Sequence, residues 1–398
     1  MEKALAAAYG NIGKTSPNPS VGAVIVKDGL IISEGVTCPY GQSHAEIMAI
    51  ASAGDRAPGA DMYISLEPCD HQGNTPPCTK AMIEAGIAGV YIPILDPNPL
   101  VSGKGVKRLT DAGVRVQFLH EYESHAADLI RPFKKYILRK KPFVIGKSAL
   151  TLDGRIAAPS GDSKWITSEF SRYLVHRLRA KVDAVMVGKN TFAKDRPGLR
   201  ATPNKFGEEI RRHYSDNSWE INGRYNFFLD SLLKDESRDF NQPLRIIAGL
   251  PEDINPEDDF FWQGDHLIFE NKKSLDRLIT KNKDLKSILG RLDIAELEDG
   301  SPAEAVQSML EFLYKRGIML ILLEGGSVLN GSFYDAGEID QYLYFIAPRI
   351  AGGGLSPVSG TGAAVISDSL RLHDVSSVMI RDEVLITGYK EPYNFESM

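Results

Sequence analysis

His44-Ala45-Glu46, then Cys69 directly after Pro68, then Cys78 bring together one imidazole, two thiols and one free carboxylate. Such a set suits catalytic zinc, because three protein ligands leave the fourth tetrahedral position to water, whose pKa the metal lowers to roughly 7. Hydrolytic removal of an amino group from an aromatic ring also needs a group that takes the water's proton, protonates a ring nitrogen and delivers a proton to departing ammonia. Glu46 can do all three. Residues two apart on a regular helix point to different sides, so His44 must stand at or before a helix start. Ser43 is then the expected cap, with Glu46 in the first turn.

The zinc-deaminase signature closes with Pro-Cys-x-x-Cys, whereas eight residues, DHQGNTPP, separate Cys69 from Cys78 here. That spacing implies an inserted loop, with Pro77 starting the helix that carries Cys78. Each of these residues taken singly is an ordinary packed side chain; their order and neighbours carry the reading. A closed structural site with Cys38 as fourth ligand is the alternative, and it leaves Glu46 without a task.

The elements around these residues read as α/β. Strand-like runs VGAVIV, LIISEGV, MYISL, GVYIPI and VRVQF alternate over residues 1–120 with helical stretches such as HAEIMAIASAG and PPCTKAMIEAG, the pattern of a three-layer domain. Lys27-Asp28-Gly29 is a hairpin signal, so the first two strands run antiparallel and the sheet is mixed. A helix-like segment over 121–141 runs into Pro142, which discourages helix just before it. The domain boundary is placed there, giving residues 1–140 and 141–398.

Beyond that boundary PFVIGKSA, DAVMVG, LRIIAGL, IMLILLE and QYLYFIA read as buried strands between helices, and SSVMIRD with EVLITGY as a closing hairpin. Residues 196–242 and 252–300 read as long polar loops. Glu324-Gly325-Gly326-Ser327 follows IMLILLE and opens a helix-like stretch, so free backbone N–H groups there can cradle a phosphate that glycine lets approach. No G-x-G-x-x-G is present, so a Rossmann domain is not indicated.

Bulk properties narrow the function classes. A chain of 398 residues exceeds the size at which one core stops growing. Hydrophobic residues at 43% and charged residues at 25% are those of a globular protein. The net charge of -6 argues against a nucleic-acid footprint and leaves a small molecule as the expected partner. Three cysteines cannot frame a disulfide-stapled fold and point to a reducing compartment, the cytoplasm. The first residues lack a secretory pattern, and the longest buried-looking run, 318–323, is too short to span a bilayer.

Pro17-Asn18-Pro19-x-Val21-Gly22, His44-Ala45-Glu46 and Leu66-Glu67-Pro68-Cys69-x-His71-x-Gly73-x-Thr75-Pro76-Pro77-Cys78 resemble the bifunctional deaminase/reductase family of riboflavin biosynthesis. Asp96-Pro97-Asn98-Pro99 and the glycine-rich 102–105 continue the likeness. It extends through Lys147-Ser148-Ala149, Leu152-Asp153-Gly154-Arg155, Gly161-x-Ser163-x-Trp165-Ile166-Thr167, Leu178-Arg179-Ala180, Thr191, Asp195-x-Pro197-x-Leu199 and Glu324-Gly325-Gly326. The resemblance implies a cytidine-deaminase-like domain followed by a dihydrofolate-reductase-like α/β domain. It implies pyrimidine contacts from Asn18 and His71. In the second domain it implies NADPH near Ala149, Trp165, Thr191, Asp195 and 326–331, with substrate near Lys147, Ser163, Arg179, Leu199 and Glu324. Without the resemblance Trp165 reads as core and Arg179 as a solvated helix residue.

Several positions depart from the family pattern. Thr37 stands where a His is usual, Asn74 where Arg or Lys follows the loop glycine, and Asp195-Arg196-Pro197 replaces Asp-Asp-Pro. Thr202 occupies the register of an expected Arg, with Arg200 shifted by two, and Ala248-Gly249 replaces Asp-Ser. Several lost groups would hold the substrate's phosphate or the cofactor.

The leading expectation is zinc-dependent deamination of a phosphoribosylaminopyrimidine, then NADPH-dependent reduction of its ribosyl group to ribityl. Two readings stay beside it: the same chemistries on a different pyrimidine, for instance an unphosphorylated one, or an active deaminase whose second domain only binds. A nucleic-acid base deaminase is disfavoured by the acidic balance. A homo-oligomer is expected, with Gln341–Ala347 and the C-terminal hairpin available to pair across subunits.

Overall fold

A computed structural model describes the chain except residues 73–75, 217–218, 224–226, 235–240, 253, 255–264, 282–288, 291 and 393–398. Two compact units emerge, one holding Met1–Lys141 and the other Pro142–Tyr225 with Leu232–Pro392.

In the first unit a five-stranded sheet runs β2-β1-β3-β4-β5. Its strands are β1 (Gly22–Lys27), β2 (Leu30–Val36), β3 (Asp61–Ile64), β4 (Gly89–Ile92) and β5 (Arg115–Phe118). β1 is antiparallel to β2 and β3, while β3, β4 and β5 are parallel, so the sheet is mixed. Asp28 and Gly29 both have positive φ, 52° and 77°, the backbone of a type I′ hairpin turn.

Helices α1 (Glu2–Gly10), α2 (Ala45–Ala53), α3 (Cys78–Glu84), α4 (Lys104–Asp111) and α5 (Glu123–Arg139) cover the sheet. Successive strand residues face opposite sides, and two glycines show which helix lies where. A Cβ on Gly22 would meet the Ala4 carbonyl of α1 at 2.1 Å, and one on Gly35, whose partner is Ala23, the Ala45 carbonyl of α2 at 2.3 Å. α1 and α2 therefore pack on opposite faces, and Tyr9 ties α1 to α5 through a 2.8 Å bond to the His125 carbonyl. Three layers result.

The second unit is built on a ten-stranded sheet, β11-β10-β9-β7-β12-β6-β13-β15-β14-β8. Its strands are β6 (Phe143–Thr151), β7 (Ala184–Gly188), β8 (Ile221–Gly223), β9 (Leu244–Ala248), β10 (His266–Asn271), β11 (Ile294–Leu297), β12 (Leu320–Leu323), β13 (Gln341–Ala347), β14 (His373–Ile380) and β15 (Glu383–Tyr389). From β11 to β13 all pairs are parallel, and β15, β14 and β8 continue antiparallel. Met186, Ile246, Leu267, Ile321 and Phe333 are among its core. The helices α6 (Glu169–Arg179) and α7 (Lys189–Asp195) flank β7 in sequence.

Three sequence expectations are corrected. The polar stretches 196–242 and 252–300 are not plain loops, since they contain β8, β10, β11 and the helices Glu208–Asp216 and Lys272–Lys281. Strands of three to six residues carry too few positions for a clear period. Gln341–Ala347 cannot offer an edge to another subunit, because β13 lies between β6 and β15, and β8 covers the outer edge of β14. Ser43 caps nothing: His44 itself is the N-cap residue of α2, in extended backbone with φ -77° and ψ 166°.

Candidate active site

His44 stands in extended backbone at the start of α2, and Glu46 follows in the first turn of that helix. Cys78 is the first residue of α3, with Pro77 as its N-cap, and Cys69 lies in the connection after β3. His44 Nδ1 is 3.6 Å from Cys69 Sγ and 3.4 Å from Cys78 Sγ. A tetrahedral zinc, with bonds of about 2.3 Å to sulfur and 2.0 Å to nitrogen, would hold those atoms about 3.5 Å apart. Among the described residues these three are the one group able to share an ion, and Cys38 is outside it. The donor set fits zinc with a corner left over and does not fit a closed four-ligand site.

The electrostatics ready one of the two thiols for a metal, while the other, Cys78, is pushed up by its hydrogen bond with Cys69 and by burial. The Cys69 thiol is pulled down to about 4, first by the hydrogen bond from Cys78, with His44 adding to the effect against the cost of burial. Glu46 is buried, and loss of solvent pushes its carboxyl above the usual range. A carboxyl raised in this way takes up a proton more readily than an exposed one.

A cavity of about 450 Å³ opens over these groups, lined by Asn18, His44, Glu46, Cys69, His71 and Asp96 among others. The sequence-predicted Asn18 and His71 thus share one wall system with the ligands. Sequence reasoning missed Tyr40, Gln42, Phe133 and Tyr136, which also line it; α5 supplies two of them from far along the chain. Asp96 was quoted only as motif, yet burial lifts its carboxyl to about 7.

In the second unit Arg179, at the end of α6, meets Glu324 by two bonds, Nε to Oε1 at 2.6 Å and Nη2 to Oε2 at 3.0 Å. Lys147 Nζ of β6 lies 3.8 Å from Glu324 Oε2. All three side chains are largely buried, so Arg179 is not a solvated helix residue. Burial works to raise the Glu324 carboxyl, but Arg179 and Lys147 overcome it and hold it at about 2. The start of α6 is fixed by Ser168, whose hydroxyl donates to Glu383 Oε2 at 3.0 Å.

Gly326 is the N-cap of the helix Ser327–Asp335, which follows β12. A Cβ there would stand 2.7 Å from Thr191 Oγ1 of α7, so the cradle and Thr191 adjoin. The Asn330 side chain is buried, and its Oδ1 has no protein partner. An acceptor left open beside a glycine-lined helix start fits a ligand carrying both phosphate and N–H groups, as NADPH does. Asp195 ends α7, with Lys164 Nζ 4.0 Å from its Oδ1. Trp165 is 63% exposed and so is not core; Arg172 stacks over its ring at 4.2 Å. Ala149 lies on β6, Leu199 is buried at φ 52°, and Ser163 lies between β6 and α6.

The departures take structural roles. Thr37 Oγ1 accepts the Val21 N–H at 3.2 Å and lines the cavity. Thr202 turns its N–H and hydroxyl to His176 Nδ1, at 3.2 and 3.1 Å. Arg196 caps α7 at φ 43°, and Ala248 ends β9. Gly73, Asn74 and Thr75 lie outside the described residues.

Residues 1–94 match the cytidine and deoxycytidylate deaminase zinc-binding region, and 142–386 the RibD C-terminal domain. The riboflavin biosynthesis protein RibD of Synechocystis is 36% identical over 98% of this chain and 95% of its own length. That of Aquifex aeolicus is 36% identical over 97% and 96%. A solved Thermotoga maritima structure, a diaminohydroxyphosphoribosylaminopyrimidine deaminase/5-amino-6-(5-phosphoribosylamino)uracil reductase, covers 98% of this chain and 97% of its own, at 32% identity and a TM-score of 0.75.

Proposed function

The chain belongs to the RibD family, and from that premise we propose which of its residues carry the family's two reactions. It is a bifunctional enzyme of riboflavin biosynthesis, with zinc and NADPH as cofactors. We assign deamination to 1–140 and reduction to 141–398. The substrate is a phosphoribosylaminopyrimidine, after the activity printed for the Thermotoga relative. Relatives matched along the whole chain give no support to a moved substrate or a non-catalytic second domain.

His44, Cys69 and Cys78 hold zinc, which when bound supplies a Lewis acid that makes water reactive at neutral pH. Glu46 takes a proton from the attacking water and gives it to the ring nitrogen; it then takes the second proton from the newly added hydroxyl and passes it to the amino group, so that the C–N bond breaks, ammonia leaves and the C–O bond becomes a carbonyl. Asn18 and His71 orient the ring. The buried wall around Glu46 keeps bulk water from competing for its protons.

In the second domain Gly326, Thr191, Asp195, Ala149 and Trp165 seat NADPH, which supplies the reducing equivalent. Lys147, Arg179, Glu324, Ser163 and Leu199 bind the sugar, and the buried Lys147–Glu324–Arg179 cluster fixes its orientation. The carrying observation is the buried Glu46 beside three ligand atoms at zinc spacing. The test is ammonia release and NADPH oxidation by zinc-loaded protein given the phosphorylated pyrimidine; no ammonia defeats the assignment.

We also read the protein as cytoplasmic, a homo-oligomer and without a nucleic-acid partner, from its reduced cysteines, its net charge of -6 and the exposed Val375 and Met379 on β14. Among the described residues no helix is long and apolar enough to cross a membrane. Sedimentation of the full chain checks the assembly.

A further inference from the structure

Arg172, His176 and Arg179 stand at i, i+4 and i+7 on α6, and so on one face of that helix. That face meets the turn Pro203–Lys205. His176 Nδ1 lies 3.2 Å from the Thr202 N, and its ring stands edge-on to Phe206 with centroids 5.3 Å apart. Lys205 Nζ lies 5.4 Å from the same Phe206 ring. The turn is a 3-10 helix with Thr202 as its N-cap, whose carbonyl accepts the Lys205 N–H at 3.2 Å. Lys205 sits on Phe206, which packs against His176, so its ammonium stands beside the face of α6 that bears the two arginines.

Charge on this face is not balanced by the protein. Glu324 is the carboxylate at hand, and Arg179 and Lys147 occupy it. Arg172 is held instead by the Thr167 carbonyl at 3.1 Å and by the Trp165 ring. Neither Arg172 nor Lys205 forms an ion pair among the described residues. Burial, then Arg179 and Arg172, depress the Lys205 ammonium, and burial, then Arg179 and Lys205, keep the His176 pKa low. Cations brought together without a counterion repel, unless an anion joins them.

We propose that Lys205, with Arg172, clamps the phosphate of the sugar substrate in the second domain, supplying from three residues further on the charge absent at Thr202. This rests on reading that domain as the reductase. Arginine offers a planar fork and lysine a point charge, and together they grip a phosphate monoester from two sides. The phosphate binds where it orders the turn 203–205 against α6, and it makes this site selective for phosphorylated sugars.

Ribose 5-phosphate binding to the full chain, followed by calorimetry, reads the clamp without any turnover. Lys205→Ala should weaken the affected binding component at least tenfold, and Lys205→Arg should restore it. In NADPH oxidation Lys205→Ala should raise KM for the phosphorylated substrate about tenfold with kcat within twofold. Wild-type ribose 5-phosphate affinity in Lys205→Ala, or no binding by the wild type, overturns the clamp. Phosphate binding that depends on Lys205 in a protein that never oxidises NADPH supports the clamp and sinks the reductase reading instead.

Discussion

The Glu67 carboxylate accepts the Asp96 backbone N–H at 3.1 Å, joining the segment that carries Cys69 to the opposite rim of the cavity. The same carboxylate accepts N–H groups of Gly103 at 2.9 Å and Val106 at 3.2 Å. Glu67 is thus a buried clasp over residues 96–106, two positions before a metal ligand. Glu67→Ala strands three N–H groups, each costing about 1–3 kcal/mol when buried and unpaired. A loss of about 3 kcal/mol or more is expected in denaturant unfolding of the first unit. An unchanged midpoint would mean that water replaces the clasp at no cost.

Gly105 tests the same junction from the other side. A Cβ there would sit 2.0 Å from the Pro68 carbonyl, a backbone atom that cannot swing away. Gly105→Ala should therefore displace Pro68 and Cys69 and weaken zinc retention at least tenfold in chelator competition. Gly10→Ala, where nothing lies within 4 Å, is the control. Equal zinc retention in both variants would show that the 68–69 backbone has slack.

Glu46→Gln separates proton transfer from metal holding. The amide keeps the shape but cannot take a proton, so zinc content should stay at one per chain while ammonia release falls by about 10²–10⁴-fold. NADPH oxidation with an already deaminated substrate should be unchanged. Loss of zinc along with activity would make Glu46 a structural neighbour of the ligands.

His176 has a pH signature. Burial, then Arg179 and Lys205, hold its folded pKa near 3, against about 6.5 for an exposed histidine. A depressed pKa means that the folded state resists the proton that the unfolded state accepts. Stability is thus full above pH 6.5 and falls as pH drops toward 3, at up to roughly 1.4 kcal/mol per pH unit for one group. His176→Gln should flatten that acid limb of the Tm profile. An acid limb identical to wild type would place the titration elsewhere.

Legibility followed the range of the interactions. The I′ turn at Asp28-Gly29, the zinc ligands and the strands of the parallel sheet depend on residues close in sequence or on long apolar runs, and they were readable. The cap at His44 was misread because a cap is decided by backbone angle, which the choice between Ser43 and His44 does not encode. β8, β10 and β11 were missed because short strands borrow their order from neighbours far along the chain. Phe133 and Tyr136 reach the cavity only because α5 folds back over it, and Lys205 reaches α6 only through a turn whose neighbours lie about thirty residues away.

Lys147 and Arg179 share Glu324, and the arrangement makes its three members unequal in a way that mutation can read. Burial depresses the Lys147 ammonium, and Glu324 opposes that effect. Glu324→Gln removes the one carboxylate and leaves two cations in a largely buried site, where breaking such a pair costs about 3–5 kcal/mol. Lys147 can relieve part of that cost by shedding its proton, whereas Arg179 cannot. Lys147→Met should therefore destabilise the wild type but cost less, or even help, in the Glu324→Gln background, with a coupling of about 1–3 kcal/mol in a double-mutant cycle. The Glu324 carboxyl sits at about 2, below its unfolded value, so its contribution is present above pH 4.5 and fades as pH falls toward 2. Additive losses in the cycle would show that Lys147 keeps its charge by another route, and would remove the argument that Glu324 governs both cations.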